Sequence, residues 1–323
     1  MMADNKEILV SICVITYNQD IYIRKCLDSI LMQDVNFCYE IIVGDDCSTD
    51  STRSILLSYR DRYPKTIIPV FSDKNTGISA NYKRVLNKCR GDYIALCEGD
   101  DYWIEDTRLQ KQVDFLETHP NYGFVGGNAG ILMGEKITFE PYDYIPKPIM
   151  EGEWELYGDV LDYAKFGPVT RTVTLCFRKA IIEPYIGIEG IGNDLVLQTV
   201  LAKYSRFAKL SSAIGVFRQN GISTSRENVN SIAKYANWRF ECLTLQKKLF
   251  PEDCNWDDDE ISDQRYFSLM RYYIRHFQYK KTIELRKKIR SKKFKEKRSY
   301  RYSGNLISSF ILGLAETIGI IFN

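Results

Sequence analysis

The sequence predicts an α/β protein built on a doubly wound, mainly parallel sheet flanked by helices. Three observations predict it. Apolar, β-rich runs alternate with segments of helical spacing between Ile8 and Thr118. The runs are nearly continuous in apolar residues, as strands covered on both faces are. Two of them lead directly into acids, Asp45-Asp46 and Glu98-Gly99-Asp100-Asp101. In such sheets the ligand crevice lies beyond the carboxyl ends of the strands, so the acids fall where a ligand binds.

The elements follow in order. Residues 8–16 (ILVSICVIT) read as a strand, and the turn-prone Asn18-Gln19-Asp20 follows. Ile23, Leu27, Ile30 and Leu31 recur at helical spacing. A second strand, Tyr39 to Val43, ends at Gly44-Asp45-Asp46, and Ser48-Thr49-Asp50-Ser51 supplies caps for a helix to about Arg62. A third strand, Ile67 to Phe71, leads through Asn75-Thr76-Gly77 into a helix to Lys88. A fourth, Tyr93 to Cys97, meets the second acidic cluster, and a helix over about Asp106 to Thr118 stops before His119-Pro120. Residues 134–170 read as an irregular, Pro/Gly-rich loop region. Thr172 to Phe177 and Phe207 to Phe217 read as strands, and Gly190-Ile191-Gly192-Asn193-Asp194 opens a helix to about Tyr204. From Asn228 the pattern is mainly helical, with a polar break over Pro251 to Asp259.

Hydrophobic residues make up 45% and charged residues 27% of the 323, so a sizeable core can form. The nine cysteines include no CxxC pair, and several sit inside apolar runs, which argues against a zinc site or disulfide framework. The polar N-terminus runs straight into a strand pattern and shows no signal-peptide pattern. Net charge is +2, yet Lys280 to Arg301 hold twelve Lys/Arg and two Glu, so the remainder carries −8. That contrast points the basic segment at an anionic partner.

The acidic clusters carry the chemistry. A diphosphate leaving group needs its charge neutralised, and a divalent cation held by one or two carboxylates and the phosphates does this. Glu98-Gly99-Asp100-Asp101 suits that task, with a solvated turn as the plain alternative. A carboxylate at Asp46 can accept the imide hydrogen of a uracil ring, or can cap the following helix. Thr16-Tyr17-Asn18 offers backbone amides and an aromatic face to a base, or is a simple strand end.

Four ordered stretches, VSICVITYNQDIYIRKCLDSIL (10–31), EIIVGDDCSTDST (40–52), NTGISANYKRVL (75–86) and GDYIALCEGDDYW (91–103), together resemble the family-2 glycosyltransferases of the GT-A fold. The resemblance covers about residues 8–220. It implies an inverting transfer from a nucleotide-diphosphate sugar, with UDP as the expected carrier and Mn²⁺ or Mg²⁺ as cofactor. It implies that Thr16, Tyr17, Asp46, Gly77, Glu98, Asp100 and Asp101 hold the donor. Asp100 would be the metal carboxylate of the DXD motif, whose first acid is here Glu98. An inverting displacement needs a carboxylate opposite the leaving group to take the acceptor proton. The family's Glu-Asp pair at a helix start is here Asn193-Asp194, which makes Asp194 the expected base, with a helix cap as the other reading. Where many relatives carry a His near the metal or phosphates, this chain has Arg218 and Asn220. The QxxRW signature of processive synthases is missing, so one sugar per encounter is expected.

The expected domains are residues 1–225 as the GT-A domain, 226–279 as a helical extension, and 280–323 as a basic segment plus an amphipathic helix. Arg286, Lys287, Lys288, Lys292 and Lys293 precede an apolar face that includes Phe310, Ile311 and Leu314. A basic patch beside such a helix reads as a membrane-surface anchor. Glu316 would cost about 3 kcal/mol at a bilayer centre, so lying on the surface is favoured over spanning. A helix docked on protein is the other reading. The expected setting is the cytoplasm, on the inner face of the cell membrane, as in bacterial surface polysaccharide synthesis. The expected partners are a nucleotide-sugar donor, a saccharide or lipid-linked acceptor and an anionic membrane. A homo-oligomer is compatible with the sequence. The acidic body argues against nucleic acid. A nucleotidyltransferase would carry a Gly-rich basic loop after the first strand, which Thr16-Tyr17-Asn18-Gln19 is not. The standing alternative is a membrane-tethered, non-catalytic nucleotide-sugar binding protein or scaffold.

Overall fold

The computed structural model describes residues 7–139, 147–164, 168–188, 190–219, 229–253, 258–275, 278–290 and 295. The expected roles of Asn220, Lys292, Lys293, Phe310, Ile311 and Leu314 therefore lie outside the described residues. The chain divides into two compact units, residues 1–220 and 221–323.

The first unit opens with β1 (Ile8–Thr16), α1 (Ile23–Leu31), β2 (Cys38–Asp45), α2 (Thr52–Arg62), β3 (Ile67–Phe71), α3 (Ile78–Leu86) and β4 (Tyr93–Glu98). The two-residue β5 (Tyr102–Trp103), α4 (Arg108–Thr118) and the long β6 (Tyr122–Met133) follow. Next come β7 (Lys136–Phe139), β8 (Ile149–Glu151), β9 (Trp154–Gly158), α5 (Leu161–Ala164), β10 (Cys176–Arg178), α6 (Lys179–Ile182), α7 (Asp194–Tyr204) and β11 (Arg206–Arg218). The sheet runs β3-β2-β1-β4-β10-β6-β11-β9-β8, with β5 paired to β11 and β7 to β6.

β1 to β4 pair in parallel, as their apolar runs predict. Both faces of β1 are covered: Val10, Ile12 and Val14 join the core cluster, and Cys13 is fully buried on the other side. On α1, Ile23, Cys26, Leu27 and Ile30 are the buried stripe against it. The second half differs from a purely parallel sheet. β10 runs antiparallel between β4 and β6, while β6 and β11 are parallel to each other.

Two local expectations are corrected, and one strand, β6, was not anticipated. The twelve-residue β6 was hidden by Gly126, Gly127 and Gly130, which break its apolar pattern. Residues 134–170, read as irregular, contain β7, β8 and β9, and β9 pairs with β11. The strand expected over Thr172 to Phe177 is a 3-10 turn at Thr172–Thr174 followed by the short β10. Arg108 explains the turn. Its guanidinium is buried, lies 4.0 Å from the Trp103 ring centre, and donates to the carbonyls of Val173 (2.7 Å) and Thr174 (3.0 Å). Gln112 and the Trp103 indole take the same two carbonyls, at 2.8 and 3.0 Å. With those carbonyls so held, the segment cannot offer them to a ladder. Burial lowers the Arg108 pKa to about 10, which still leaves it charged at neutral pH.

The second unit contains α8 (Val229–Leu249), α9 (Asp258–Arg275) and α10 (Tyr279–Arg286). Leu243, Ile261, Met270, Ile274 and Ile289 form its core. Among the described residues no helix is long and apolar enough to cross a membrane.

At the amino ends of the central strands, Glu40 is fully buried. It accepts from Ser11 Oγ at 2.7 Å and from the Arg90 amide at 2.8 Å, and pairs with the Arg90 guanidinium at 2.6 Å. The guanidinium can return to water when the pair is broken, and the Arg90 amide keeps Ser11 Oγ as a second acceptor at 3.0 Å, whereas the buried Ser11 hydroxyl is left with none. Glu40→Ala should therefore lower the unfolding free energy of this unit by about 2 kcal/mol, the cost of a stranded buried donor. Urea denaturation of wild type and variant checks this; equal midpoints would show that the network carries no stability.

Candidate active site

The site is assembled at the carboxyl ends of β1, β2 and β4. The parallel register puts Thr16 opposite Asp45 and Ile15 opposite Glu98, so the three strand ends finish level with one another. The loop after β1 is stitched to the loop after β2. The Asn18 amide donates to Ser48 Oγ (2.9 Å), Asn18 Oδ1 accepts from the Thr49 amide (2.8 Å), and the Gln19 amide donates to Thr52 Oγ1 (2.9 Å). Asn18 holds φ at 52°, a conformation that Asn tolerates better than most residues. Of the four residues expected to cap α2, Asp50 does so in part, accepting the Thr52 amide at 2.9 Å. Ser51 occupies the cap position without a side-chain bond.

Thr16 is buried, with Oγ1 donating to Gln19 Oε1 at 2.8 Å and its carbonyl accepting the Asp46 amide at 3.1 Å. Tyr17 is 44% exposed, which leaves its ring open to a ligand. Asp46 is buried and fully engaged. Its carboxylate accepts the Thr76 amide (3.1 and 3.0 Å), Thr76 Oγ1 (2.7 Å) and the Gly77 amide (2.7 Å), and pairs with Arg84 at 3.1 Å. Burial works to raise its pKa, but the bonds from Thr76, Arg84 and Gly77 outweigh it and hold the carboxyl below its usual range. Gly77 thus sits against Asp46, and the loop before α3 is tied to the end of β2.

The acidic turn sits one strand away. The Gly99 amide donates to the Ile15 carbonyl at 2.9 Å, and the Asp101 amide to the Glu98 carbonyl at 2.9 Å. A Cβ at position 99 would fall 2.5 Å from Gln19 Oε1 and 2.9 Å from Thr16, which only glycine avoids. Tyr82 Oη donates to Glu98 Oε1 at 3.1 Å. Asp101 Oδ1 accepts the Arg218 amide at 2.8 Å, and Arg218 Nε donates to the Asp100 carbonyl at 2.9 Å. Glu98 Oε2 and Asp101 Oδ2 are buried with no hydrogen-bond partner. Burial, then the neighbouring Asp100 charge, pushes the Glu98 pKa up to about 7 against the bond from Tyr82. Burial, then the charges of Glu98 and Asp100, raises Asp101 well above the carboxylate range.

Asp194 is the first residue of α7. Asn193 occupies the cap position, and its Oδ1 accepts the Leu195 amide at 3.0 Å; Asp194 Oδ1 accepts the same amide at 2.8 Å. Burial raises the Asp194 pKa, opposed by the Leu195 amide and the charge of Arg171. The loop before α7 lies directly on α3. A Cβ at Gly192 would sit 2.5 Å from Tyr82 Cβ and 3.1 Å from Ser79 Cα. That contact brings Asp194 close enough for its charge to raise both Tyr82 and Glu98. A continuous path therefore runs from Asp46 through Thr16, the acidic turn and Tyr82 to Asp194. Tyr82, Arg84 and Arg171 were not legible as site residues, because each falls within an ordinary helix or loop pattern.

Among the described residues no group of three or more His, Cys, Asp or Glu side chains is arranged as a metal cage. A cation shared with a diphosphate needs only one or two carboxylates. Asp100, partly exposed and standing in sequence between Glu98 and Asp101, each with an orphaned oxygen, fits that lesser requirement.

The raised Glu98 has a consequence for the metal-free protein. A carboxyl whose folded pKa is about 7, against an ordinary 4.5, favours the fold while protonated. That stability is complete below the ordinary value and is lost as pH rises through about 7. In chelator, Glu98→Gln should melt several degrees above wild type at about pH 8 and alongside it at about pH 4. Parallel melting curves across that range would contradict the assignment.

Comparison with known proteins places these features. The chain is 48% identical over 111 residues to an uncharacterised protein of Mycobacterium tuberculosis, a stretch covering 34% of this chain and 32% of that one. It is 35% identical over 119 residues to the putative teichuronic acid biosynthesis glycosyltransferase TuaG of Bacillus subtilis, covering 36% and 46%. The chain thus matches less than half the length of these curated relatives. Among solved structures it resembles S. aureus TarS residues 1–349 in complex with UDP-GlcNAc, with TM-score 0.60, 16% identity and coverage of 97% and 92%. It also resembles the mannosyltransferase PcManGT of Pyrobaculum calidifontis in complex with GDP-Man and Mn²⁺, with TM-score 0.55, 15% identity and coverage of 97% and 88%. These likenesses show the GT-A-type fold. The family model described as Glycosyl transferase family 2 matches residues 11–183, more than half of the chain, and the protein belongs to that family.

Proposed function

We propose that this protein transfers a sugar from a UDP-linked donor to a hydroxyl of a glycan or lipid-linked glycan, with inversion at the anomeric carbon. The observation that carries the reading is the convergence of Glu98 and Asp194 on Tyr82, with Asp100 beside Glu98 and the loops that end β1 and β2 nearby. The nucleotide sugars bound by TarS and the Mn²⁺ bound by PcManGT support a nucleotide-diphosphate donor and a divalent cation.

In this reading Tyr17 offers its exposed ring to the base, and Thr16, Asp46 and Gly77 shape the nucleoside subsite. Asp100 holds Mn²⁺ or Mg²⁺, with Glu98 beside it; the bound cation supplies neutralisation of the departing diphosphate. Asp194 takes the proton of the acceptor hydroxyl. Its carboxylate is anchored by the Leu195 amide through one oxygen, Oδ1 at 2.8 Å. A base held in place needs no reorganisation as the hydroxyl attacks. In the same reading residues 1–225 are the catalytic domain, 226–279 a helical extension and 280–323 the membrane-associating segment.

A screen of nucleotide sugars with Mn²⁺, read by released nucleoside diphosphate and by the anomeric configuration of the product, tests the reading. Turnover of no donor would favour a non-catalytic nucleotide-sugar binding protein. With the donor found, Asp194→Asn should slow transfer by about 10²–10⁴-fold and leave UDP affinity unchanged. Transfer by that variant at the wild-type rate would remove Asp194 from the chemistry.

The exposed cations Lys280, Lys281, Lys287, Lys288 and Arg290 support peripheral attachment to an anionic membrane, on its cytoplasmic face, with Arg286 in the same run. Deleting residues 291–323, which keeps Ile289 in the core of the second unit, should release the protein from phosphatidylserine vesicles and preserve turnover of a soluble acceptor. Equal vesicle binding by the two forms would rule out the anchor.

A further inference from the structure

We propose that Asp101 and Arg218 form a reciprocal clasp that sets the direction of the Asp100 carboxylate, so that Asp101 is a positioning residue and not a ligand of donor or cation. The proposal rests on the functional reading above, in which Asp100 holds the cation. It gives Asp101 a role different from the donor contact expected from its place in the motif.

The clasp consists of two bonds running in opposite senses between the same two segments. The Asp101 side chain accepts the main-chain amide of Arg218 at 2.8 Å. The Arg218 side chain donates through Nε to the main-chain carbonyl of Asp100 at 2.9 Å. Each residue thus spends its side chain on the other segment's backbone. Together the bonds fix the peptide that follows Asp100 from both ends. The clasp also continues a ladder, since Val216 pairs with Tyr102 and Gly215 with Trp103. On its other flank the turn is fixed to β1 by the Gly99 amide, 2.9 Å from the Ile15 carbonyl. Asp100 therefore projects from a backbone held on two sides.

Exposure separates the two acids. Asp101 is only 2% exposed, while Asp100 remains partly exposed. A ligand of a cation shared with a diphosphate must present an oxygen to that cation where the diphosphate can reach it, which a carboxylate buried beneath the turn does not. Arg218 is also held before any ligand arrives. Its guanidinium lies 4.5 Å from the Tyr22 ring centre and 5.7 Å from that of Tyr102. Aromatic packing of this kind leaves the side chain little rotamer freedom to lose on binding.

The clasp asks Asp101 for an acceptor oxygen, not for a charge. Asparagine supplies one and alanine does not. The test compares wild type, Asp101→Asn, Asp101→Ala and Arg218→Met by two readouts: calorimetric titration of UDP in the presence of Mn²⁺, and hydrogen exchange of the Arg218 amide without ligand. Asp101→Ala and Arg218→Met should each weaken Mn²⁺-dependent UDP binding by about 10–100-fold, the usual effect of losing a group that orients a metal ligand. Asp101→Asn should stay within a small factor of wild type. The Arg218 amide should exchange faster in Asp101→Ala and remain protected in Asp101→Asn. If Asp101→Ala does not fold, Arg218→Met carries the affinity readout, since it keeps the amide and removes only the guanidinium. The proposal is overturned if Asp101→Asn loses as much affinity as Asp101→Ala, because the carboxylate itself would then be the working ligand. It is equally overturned if alanine or methionine leaves UDP affinity at the wild-type level. Failure of the underlying functional reading shows differently, as absence of Mn²⁺-dependent UDP binding in the wild-type protein.

Discussion

Carboxylates crowded at the end of one strand are the constraint around which the first unit is built. The charges of Asp100 and Asp194 raise the Glu98 pKa, and those of Glu98 and Asp100 raise that of Asp101. Like charges in a poorly solvated site repel, and a fold left to minimise its own energy would separate them or pair each with a cation. This chain uses mainly neutral donors. Glu98 has the Tyr82 hydroxyl, Asp101 the Arg218 amide, and Asp194 the Leu195 amide. Neutral donors fix direction without cancelling charge. The orphaned oxygens of Glu98 and Asp101 are the energetic remainder of that choice.

The other acid of the site is treated in the opposite way. Asp46 receives two amides, a hydroxyl and a guanidinium, and its pKa falls. The two environments lie side by side, joined where the Asp46 amide meets the Thr16 carbonyl and the Gly99 amide meets the Ile15 carbonyl. An ionised, fully bonded carboxylate is rigid and suits recognition of a fixed group. A set of carboxylates near their neutral forms suits a place where charge arrives and departs. The division follows from local donor supply, because the loop before α3 contributes bonds at one end and the acidic turn has few to give at the other.

Much of this was legible in the sequence, and the limits were physical. β1 to β4 were readable because strands covered on both faces are almost continuously apolar, and the acids that follow them mark the ligand end. β6 was not, since its glycines avoid clashes invisible in one dimension: a Cβ at Gly126 would meet Thr170 and one at Gly127 would meet Ile214. β10 was mistaken for a longer strand because the residues that capture the Val173 and Thr174 carbonyls, Arg108, Gln112 and Trp103, lie about sixty residues earlier. The acidic turn and Asp194 could be singled out by residue type and position. Tyr82 could not, because a tyrosine on a helix carries no mark of the carboxylate it will meet. Its hydroxyl meets Glu98, and Gly192 lets the loop before α7 lie against α3 and bring Asp194 near the same ring.

The antiparallel strand in the middle of the sheet completes the argument. A purely parallel sheet would reach the acidic turn from the β1 side alone. Inserting β10 beside β4 allows β6 and β11 to extend the sheet beyond it, and β11 returns far enough to pair with β5 immediately after the turn. Arg108, Gln112 and Trp103 then tie the segment entering β10 to the helix and strand that follow the turn. The buried guanidinium bonds to the Val173 and Thr174 carbonyls and the Gln112 amide oxygen, and lies against an aromatic face. That arrangement places a positive charge close enough to Cys97, near the end of β4, to act on its thiol. The turn is gripped by β4 on one side and by β5 and β11 on the other, so the direction of Asp100 is decided by both halves of the sheet.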